Sequence, residues 1–278
     1  MSNSNSAGAA GGSPDWDPAL YGAFSDLRGR PLSDLLARAP VGPEARLVAD
    51  LGCGAGAAAA ALRRRFPQAR LIGVEPSAAM RAEAAALGIY DELADAAAES
   101  WRPDARVDLI FSNAALQWTE PPGEAGHERL ISALLARLAP GGALAAQMPR
   151  QEDAPSHRLI DALAHELWPE RFPAARPPRV AEPAFYANLL SRRLDAVDLW
   201  ETVYWQRLSY DPQAGAHPVR RFTESTAAQP VLGRLDGAER ARFLDAYDAA
   251  LHDAYPPMID DTVWLPFRRL FLVAQMPG

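Results

Sequence analysis

Gly52, Gly54 and Gly56 alternate directly behind the apolar run Leu47–Leu51, and that run carries a carboxylate, Asp50. A strand running into such a turn exposes backbone that a Cβ would otherwise cover, so a ligand can approach closely. Two ligand chemistries fit the spacing. Gly52-x-Gly54-x-x-Ala57 satisfies the relaxed dinucleotide fingerprint, with Glu75 as the ribose carboxylate. Asp50 argues for the other: it would repel a pyrophosphate but hold a cationic amino-acid moiety. Asp95 stands where an adenine amino group is within reach, and Asn113 is followed by AALQW, which puts Gln117 and Trp118 at the same edge. Cys53 has no basic neighbour and reads as a small spacer inside the turn. The 5 histidines are far apart, with no HExxH and no Cys/His ligand spacing, so no protein-bound metal is expected. His157 reads as first-turn helix surface.

The elements that would position these residues alternate. RLVADLG, RLIGVE, a weak stretch around Ile89 to Leu93, VDLIFSN and ALAAQM read as strands. AAAAALRRRF, SAAMRAEAAAL (capped by Ser77, stopped by Gly88) and RLISALLARLAPGG read as the helices between them. Near-continuous apolar strands separated by helices predict a parallel sheet covered on both faces. In such sheets ligands bind beyond the carboxyl ends of the strands, where strand order reverses. Before this series, Asp17-Pro18 opens one short helix and Pro31 restarts the chain into a second, PLSDLLARA. After Met148 the alternation stops. SHRLIDALAHELW and ERARFLDAYDAALHDAY read as helices, a short helix falls around Phe185 to Leu190, and VDLWETVYWQRL and RRLFLVAQM read as strands. The expected organisation is a solvated tail over 1–14, a helical lid over 15–46, a ligand-binding core over 47–150, and a helical insertion with the final strands over 151–278.

Composition excludes several classes. The 278 residues are 49% hydrophobic and 23% charged, with a net charge of −7, so no strong attraction to nucleic acid or an anionic membrane is expected. No apolar run approaches the ~20 residues a spanning helix needs. A single cysteine and a first segment without a basic, apolar leader fit a reducing cytoplasm.

Taken together, the glycine turn, the second- and third-strand acids and the Asn113 edge resemble the class I S-adenosylmethionine-dependent methyltransferases. The stretches DWDPALYGAFSDLRGRPLSDLLARAP, VDLIFSNAALQW, LAPGGALAAQMP, PSHRLIDALA and AYPPMIDDTVWLPFRRLFLVAQ are more specific, and resemble the trans-aconitate methyltransferase family over nearly the whole chain after residue 14. The resemblance implies a Rossmann-like, seven-stranded, mostly parallel sheet with helices on both faces and a helical lid over the binding edge. It implies S-adenosylmethionine held by Asp50, Gly52, Gly54, Gly56, Glu75, Asp95 and Asn113. Met80, on the helix after Glu75, is placed either to pack against the adenine or to fill the core. It implies a small polycarboxylic acid on the other side, lined by Trp16, Tyr21, Arg28, Arg30, Gln117, Trp118, Gln147, Met148 and Arg268. Arg268 and Arg269 alternate on a strand, so one of them at most enters the site, and Arg268 is the expected one.

A carboxylate is already ionised at neutral pH, so its methylation needs no general base, and none is assigned. The chain departs from the family at four positions. Ala227 and Gln229 stand where the family has glycine and arginine, and Trp205 and Gln206 where it has tyrosine and histidine. An arginine and a histidine are thus missing from a site expected to hold a polyanion. The alternative acceptor is another carboxylic acid or a malonyl thioester. A nicotinamide-dependent oxidoreductase, or a protein that binds S-adenosylmethionine without turnover, are the readings from other classes.

Overall fold

In the first half of the chain, short runs rich in leucine, isoleucine and valine form strands, and the alanine-rich segments between them form helices. The structure is a computed structural model, and it describes residues 25–278. Helix α1 (Ser25–Arg38) precedes β1 (Leu47–Leu51), α2 (Ala59–Arg65), β2 (Arg70–Val74), α3 (Ala78–Ala86), β3 (Glu92–Ala94), β4 (Val107–Asn113), α4 (Glu124–Leu135) and β5 (Leu138–Pro149). Then come α5 (Pro155–Leu167), α6 (Pro183–Ser191), β6 (Ala196–Ser209), α7 (Pro218–Glu224), α8 (Gln229–Leu232), α9 (Gly237–Ala254) and β7 (Thr262–Gln275).

The seven strands form one sheet in the order β3-β2-β1-β4-β5-β7-β6. Strands β1 to β5 are parallel, and β7 runs antiparallel between β5 and β6. The chain leaves β1 for β2 and β3 on one side and returns through β4 to the other, so strand order reverses between β1 and β4. That is where a crevice opens at the carboxyl ends. Both faces are covered. Leu47, Ala49 and Leu51 join the core under α4 and α6, while Val48 packs with Leu35, Leu62 and Phe66 under α1 and α2. A third cluster, including Ile160, Phe222, Phe243 and Tyr247 with Leu265 and Phe267, seats α5, α7, α8 and α9 over the ends of β6 and β7.

Three local expectations are corrected. Pro31 does not restart the chain: it lies inside α1, whose Leu32, Leu35 and Leu36 are buried against the sheet. Burial of those leucines offsets the one backbone bond that proline removes. Strand β3 shrinks to three residues, whereas β6 and β7 are longer than their apolar stretches, because their antiparallel pairing extends over fourteen registered pairs from Ala196 to Ser209, and β5 is longer because it pairs with β4 on one side and β7 on the other. Helices α7 and α8, carrying the polar sequence around Ala227 and Gln229, were not expected as helices. The proposed tail over 1–14 and the first helix opening at Asp17-Pro18 lie outside the described residues.

The carboxyl ends of β1 and β4 are tied together. The fully buried Ser112 hydroxyl donates to the Leu51 carbonyl at 2.8 Å, one residue before Gly52 on one strand and one before Asn113 on the other. Ser112→Ala is expected to cost about 1–3 kcal/mol of folding stability, the usual cost of removing one partner of a buried hydrogen bond. Chemical denaturation checks it; an unchanged midpoint would mean that the tie does not hold these ends.

Candidate active site

At the end of β1 the turn is built from left-handed backbone: φ is 72° at Gly52, 54° at Gly54 and 87° at Gly56. A Cβ on Gly52 would lie 2.2 Å from that of Ala115, while beyond Gly54 there is no heavy atom within 4 Å. The turn therefore packs tightly against the post-β4 segment on one side and is open on the other. The Gly52 and Cys53 amides both donate to the Val74 carbonyl, at 2.8 and 3.1 Å, which locks the turn onto the end of β2. Glu75, the next residue, accepts from the Gly54 amide at 3.1 Å and the Ser77 amide at 2.9 Å. A carboxylate so braced keeps lone pairs for two further donors.

Asp50 is buried behind the turn, and the Tyr90 hydroxyl donates to its Oδ2 at 2.6 Å. Burial pushes this carboxyl up to about 7; the Tyr90 bond works against the shift and the charge of Glu75 adds to it. Burial also raises the Cys53 thiol, helped by Asp50 and Glu75, so Cys53 stays protonated and unreactive.

The turn opens into a cleft of about 2450 Å³, larger than the ~300–1,000 Å³ of a typical small-molecule site. Asp50, the three glycines, Glu75, Met80 and Asn113 line one end. Gln117 and Trp118 line it from the short 3₁₀ turn Leu116–Trp118. Asp95 is not part of this lining. Its carboxylate is 72% exposed and pairs with Arg81 at 2.8 Å, because Arg81 reaches from α3 to the residue directly after the short β3. Ala97, Ala98 and Glu99 form the wall on that side.

The far end holds the main corrections. Arg268 projects from β7 to the exposed side, and the buried cleft residue is its neighbour Arg269. Arg269 lies opposite Pro149 at the end of β5, and its Nη1 donates to Gln147 Oε1 at 2.8 Å. Gln147 is completely buried behind the cleft, and Met148, on the opposite face, fills the hydrophobic core instead of touching the cleft. Arg30 is exposed and borders a separate shallow groove with Asp34, Tyr204 and Trp205. Trp16 and Tyr21 lie outside the described residues, as does the side chain of Arg28.

Sequence reasoning missed several lining residues. Arg150, Arg176 and Arg179 enter the cleft from irregular segments flanking α5. Arg150 pairs with Glu182 and Glu201, Arg179 with Glu120 while lying over the Trp118 ring at 5.2 Å, and Arg176 with Asp161 at 2.5 Å. His157 also lines the cleft, not outer surface; burial, with Arg176 alongside, pushes its imidazole down to about 4 and leaves it neutral. Of the departures, Gln229 lines the cleft and its amide donates to the Glu224 carbonyl at 2.7 Å. The Arg176 guanidinium comes within 3.4 Å of the Ala227 carbonyl, bringing a cation to the same corner from another segment. Gln206 is buried with neither amide atom partnered among the described residues.

A methyltransferase-domain family matches residues 48–142, the segment from β1 into β5. The trans-aconitate 2-methyltransferase of Methylobacterium radiotolerans is 42% identical, covering 94% of this chain and 98% of its own. That of Variovorax paradoxus is 40% identical over the same shares. The chain belongs to the trans-aconitate 2-methyltransferase family. The fold is shared more widely: the YcgJ protein of Bacillus subtilis superposes with a TM-score of 0.53 at 16% identity, over 90% of this chain and 99% of that one. Membership makes this chain a methyltransferase with S-adenosylmethionine as its cofactor. Among the described residues no helix is long and apolar enough to cross a membrane, and no cluster of three or more His, Cys, Asp or Glu could hold a metal.

The residues fit that cofactor: an open glycine turn, a buried carboxyl suited to an ammonium, and a braced carboxylate with spare lone pairs. The raised Asp50 pKa gives a signed prediction. In the cofactor-free fold the proton is favoured, so this group's contribution to stability is present below 3.8, its ordinary value, and is lost as pH rises through about 7. A bound ammonium favours the ionised form. Thermal stabilisation by S-adenosylhomocysteine should therefore be larger at about pH 7.5 than at about pH 5.5, and Asp50→Asn should remove most of that difference. Equal stabilisation at both values in the unmutated protein would place the ammonium elsewhere.

Proposed function

We propose that the protein transfers the methyl group of S-adenosylmethionine to a carboxylate of trans-aconitate, giving a monomethyl ester and S-adenosylhomocysteine. The relatives named above support the acid, and one observation carries the reading: Arg269, only 3% exposed, places a permanent cation in the cleft at the level where the parallel strands end. Among the described residues the Nε2 of its partner Gln147 is buried without a hydrogen-bond partner, and so are Asn113 Oδ1 at the end of β4 and Gln117 Oε1 in the turn after it. Buried polar atoms rarely stay unpaired: the two acceptors suit the ammonium and hydroxyl donors of the cofactor, and the acid is left to the guanidinium, because an ionised carboxylate has no hydrogen to give them.

When bound, S-adenosylmethionine supplies a methyl group already activated by its sulfonium. Asp50, Gly52, Gly54, Gly56, Glu75, Met80 and Asn113 would hold it at the switch point between β1 and β4. The remaining task of the chain is alignment. Arg269 clamps a carboxylate that is not reacting, with the fork geometry that makes Arg–carboxylate pairs strong. Gln147 fixes the guanidinium from behind. Trp118 and the cleft walls exclude water from the reacting carboxylate, whose hydration blunts its nucleophilicity. An ionised carboxylate aligned with that methyl group would need no proton transfer, so the neutral His157 has no proton to take.

Mass spectrometry of trans-aconitate incubated with the protein and S-adenosylmethionine should find a product one methyl heavier. Arg269→Lys, which keeps charge but loses the fork, should raise KM for the acid about tenfold or more with cofactor affinity unchanged, and Arg268→Ala should match the unmutated protein. No ester despite cofactor binding would overturn the acid assignment, and an Arg269→Lys variant with normal kinetics would overturn the role of Arg269.

A further inference from the structure

His127 and Tyr186 are both completely buried, and neither takes part in the chemistry derived above. They sit on different helices, α4 and α6, separated by 59 residues in sequence, and their side chains meet at 2.6 Å between His127 Nδ1 and the Tyr186 hydroxyl. On its other side His127 Nε2 lies 2.9 Å from the Leu116 carbonyl. The tautomer follows from the partners. A carbonyl only accepts, so Nε2 carries the proton and donates to Leu116, and Nδ1 accepts from the tyrosine. Burial pushes the imidazole pKa down, which keeps this neutral form at physiological pH. The Tyr186 oxygen in turn accepts from the Ala181 amide at 3.0 Å. The result is a continuous buried chain: Ala181 N–H to Tyr186 O–H to His127 to Leu116 C=O.

Its two ends are the two walls of the acceptor side of the cleft. Leu116 begins the 3₁₀ turn that carries Gln117 and Trp118. Ala181 sits between Val180 and Glu182 and two residues after Arg179, all three of which line the cleft. The walls touch at the mouth, where the Arg179 guanidinium lies over the Trp118 ring. Neither wall is a regular strand or a long helix, so their separation is not set by the sheet. The Leu116 carbonyl is further pinned by the Thr119 hydroxyl at 2.7 Å. At the surface the Gly123 amide donates to the Arg179 carbonyl at 3.2 Å and Arg179 pairs with Glu120, and beneath these contacts His127 and Tyr186 form the buried side-chain link between the walls.

The geometry points to His127 and Tyr186 as positioning residues that set the spacing between the Gln117–Trp118 wall and the Arg179–Glu182 wall, and so the orientation of the acid toward the methyl donor. The inference rests on the proposed acceptor side of the site for its kinetic consequence, but not for its physical one.

Tyr186→Phe keeps the packing and removes only the hydroxyl. It should lower kcat/KM for the acid by about tenfold or more, with the cofactor Kd within about twofold of normal. His127→Leu should do the same, and the double variant should be no worse than the poorer single one, as coupled members of one unit behave. His127→Gln, with an amide donor and acceptor, should recover part of the loss. Leu251→Ala, in the α9 core away from the chain of bonds, serves as the control for general destabilisation. Amide hydrogen exchange on the same variants needs no substrate: Tyr186→Phe should speed exchange at Ala181 and at Thr119 together. Normal kcat/KM with unchanged exchange at Thr119 would overturn the inference, as would an equal kinetic loss in Leu251→Ala. If the unmutated protein makes no ester, the acid assignment fails, and the exchange experiment still decides whether the two walls are linked.

Discussion

A guanidinium buried at the edge of a hydrophobic sheet is costly unless something holds it, and the acceptor half of this cleft is organised around that constraint. Arg269 is placed by β7, the one strand that runs antiparallel between β5 and β6. Its neighbours supply a carbonyl oxygen from Gln147 and the face of Phe267, whose ring centroid is 4.8 Å away. These interactions orient the guanidinium. An anionic ligand gains most from a cation that is already desolvated, since that part of the penalty is met during folding.

The same sheet edge builds the other half by different means. At β1 the chain uses left-handed backbone, a buried carboxyl near neutrality and a braced Glu75, features suited to a ligand with an ammonium and hydroxyls rather than phosphates. At β7 it uses a cation. Asn113 is in register with Gln147, so the two halves meet on adjacent strands β4 and β5. This division matches the proposed reaction, in which a positively charged donor and a negatively charged acceptor would lie side by side. The sheet keeps them apart in sequence and together in space, and the Ser112 bond to Leu51 and the His127–Tyr186 pair hold the less regular parts around it.

How much of this was legible in the sequence depended on whether the signal was local. Asp50 and the glycine turn are adjacent in sequence and Glu75 directly follows the next strand, and the apolar runs of both strands are unmistakable. The choice between Arg268 and Arg269 was not local. Alternation says that the two face opposite sides, but the absolute phase is fixed only by pairing with β5 and β6, and a one-residue slip exchanges the faces. The same phase problem separated Gln147 from Met148. Asp95 pairs with Arg81 from the preceding helix, a partner that the strand pattern alone does not show. Arg150, Arg176 and Arg179 lie where no periodicity exists, among prolines. His127 and Tyr186 had no signal at all, since an isolated histidine on a helix becomes informative only when the partner from a distant helix is known.

The most direct test of this account is a crystal structure with S-adenosylhomocysteine and trans-aconitate bound together. The account predicts a carboxylate of the acid in a forked pair with Arg269, within hydrogen-bond distance of Gln117 or Asn113, and a second carboxylate facing the sulfur across the β1–β4 switch point. An acid bound instead among Arg150, Arg176 and Arg179, with Arg269 untouched, would contradict it.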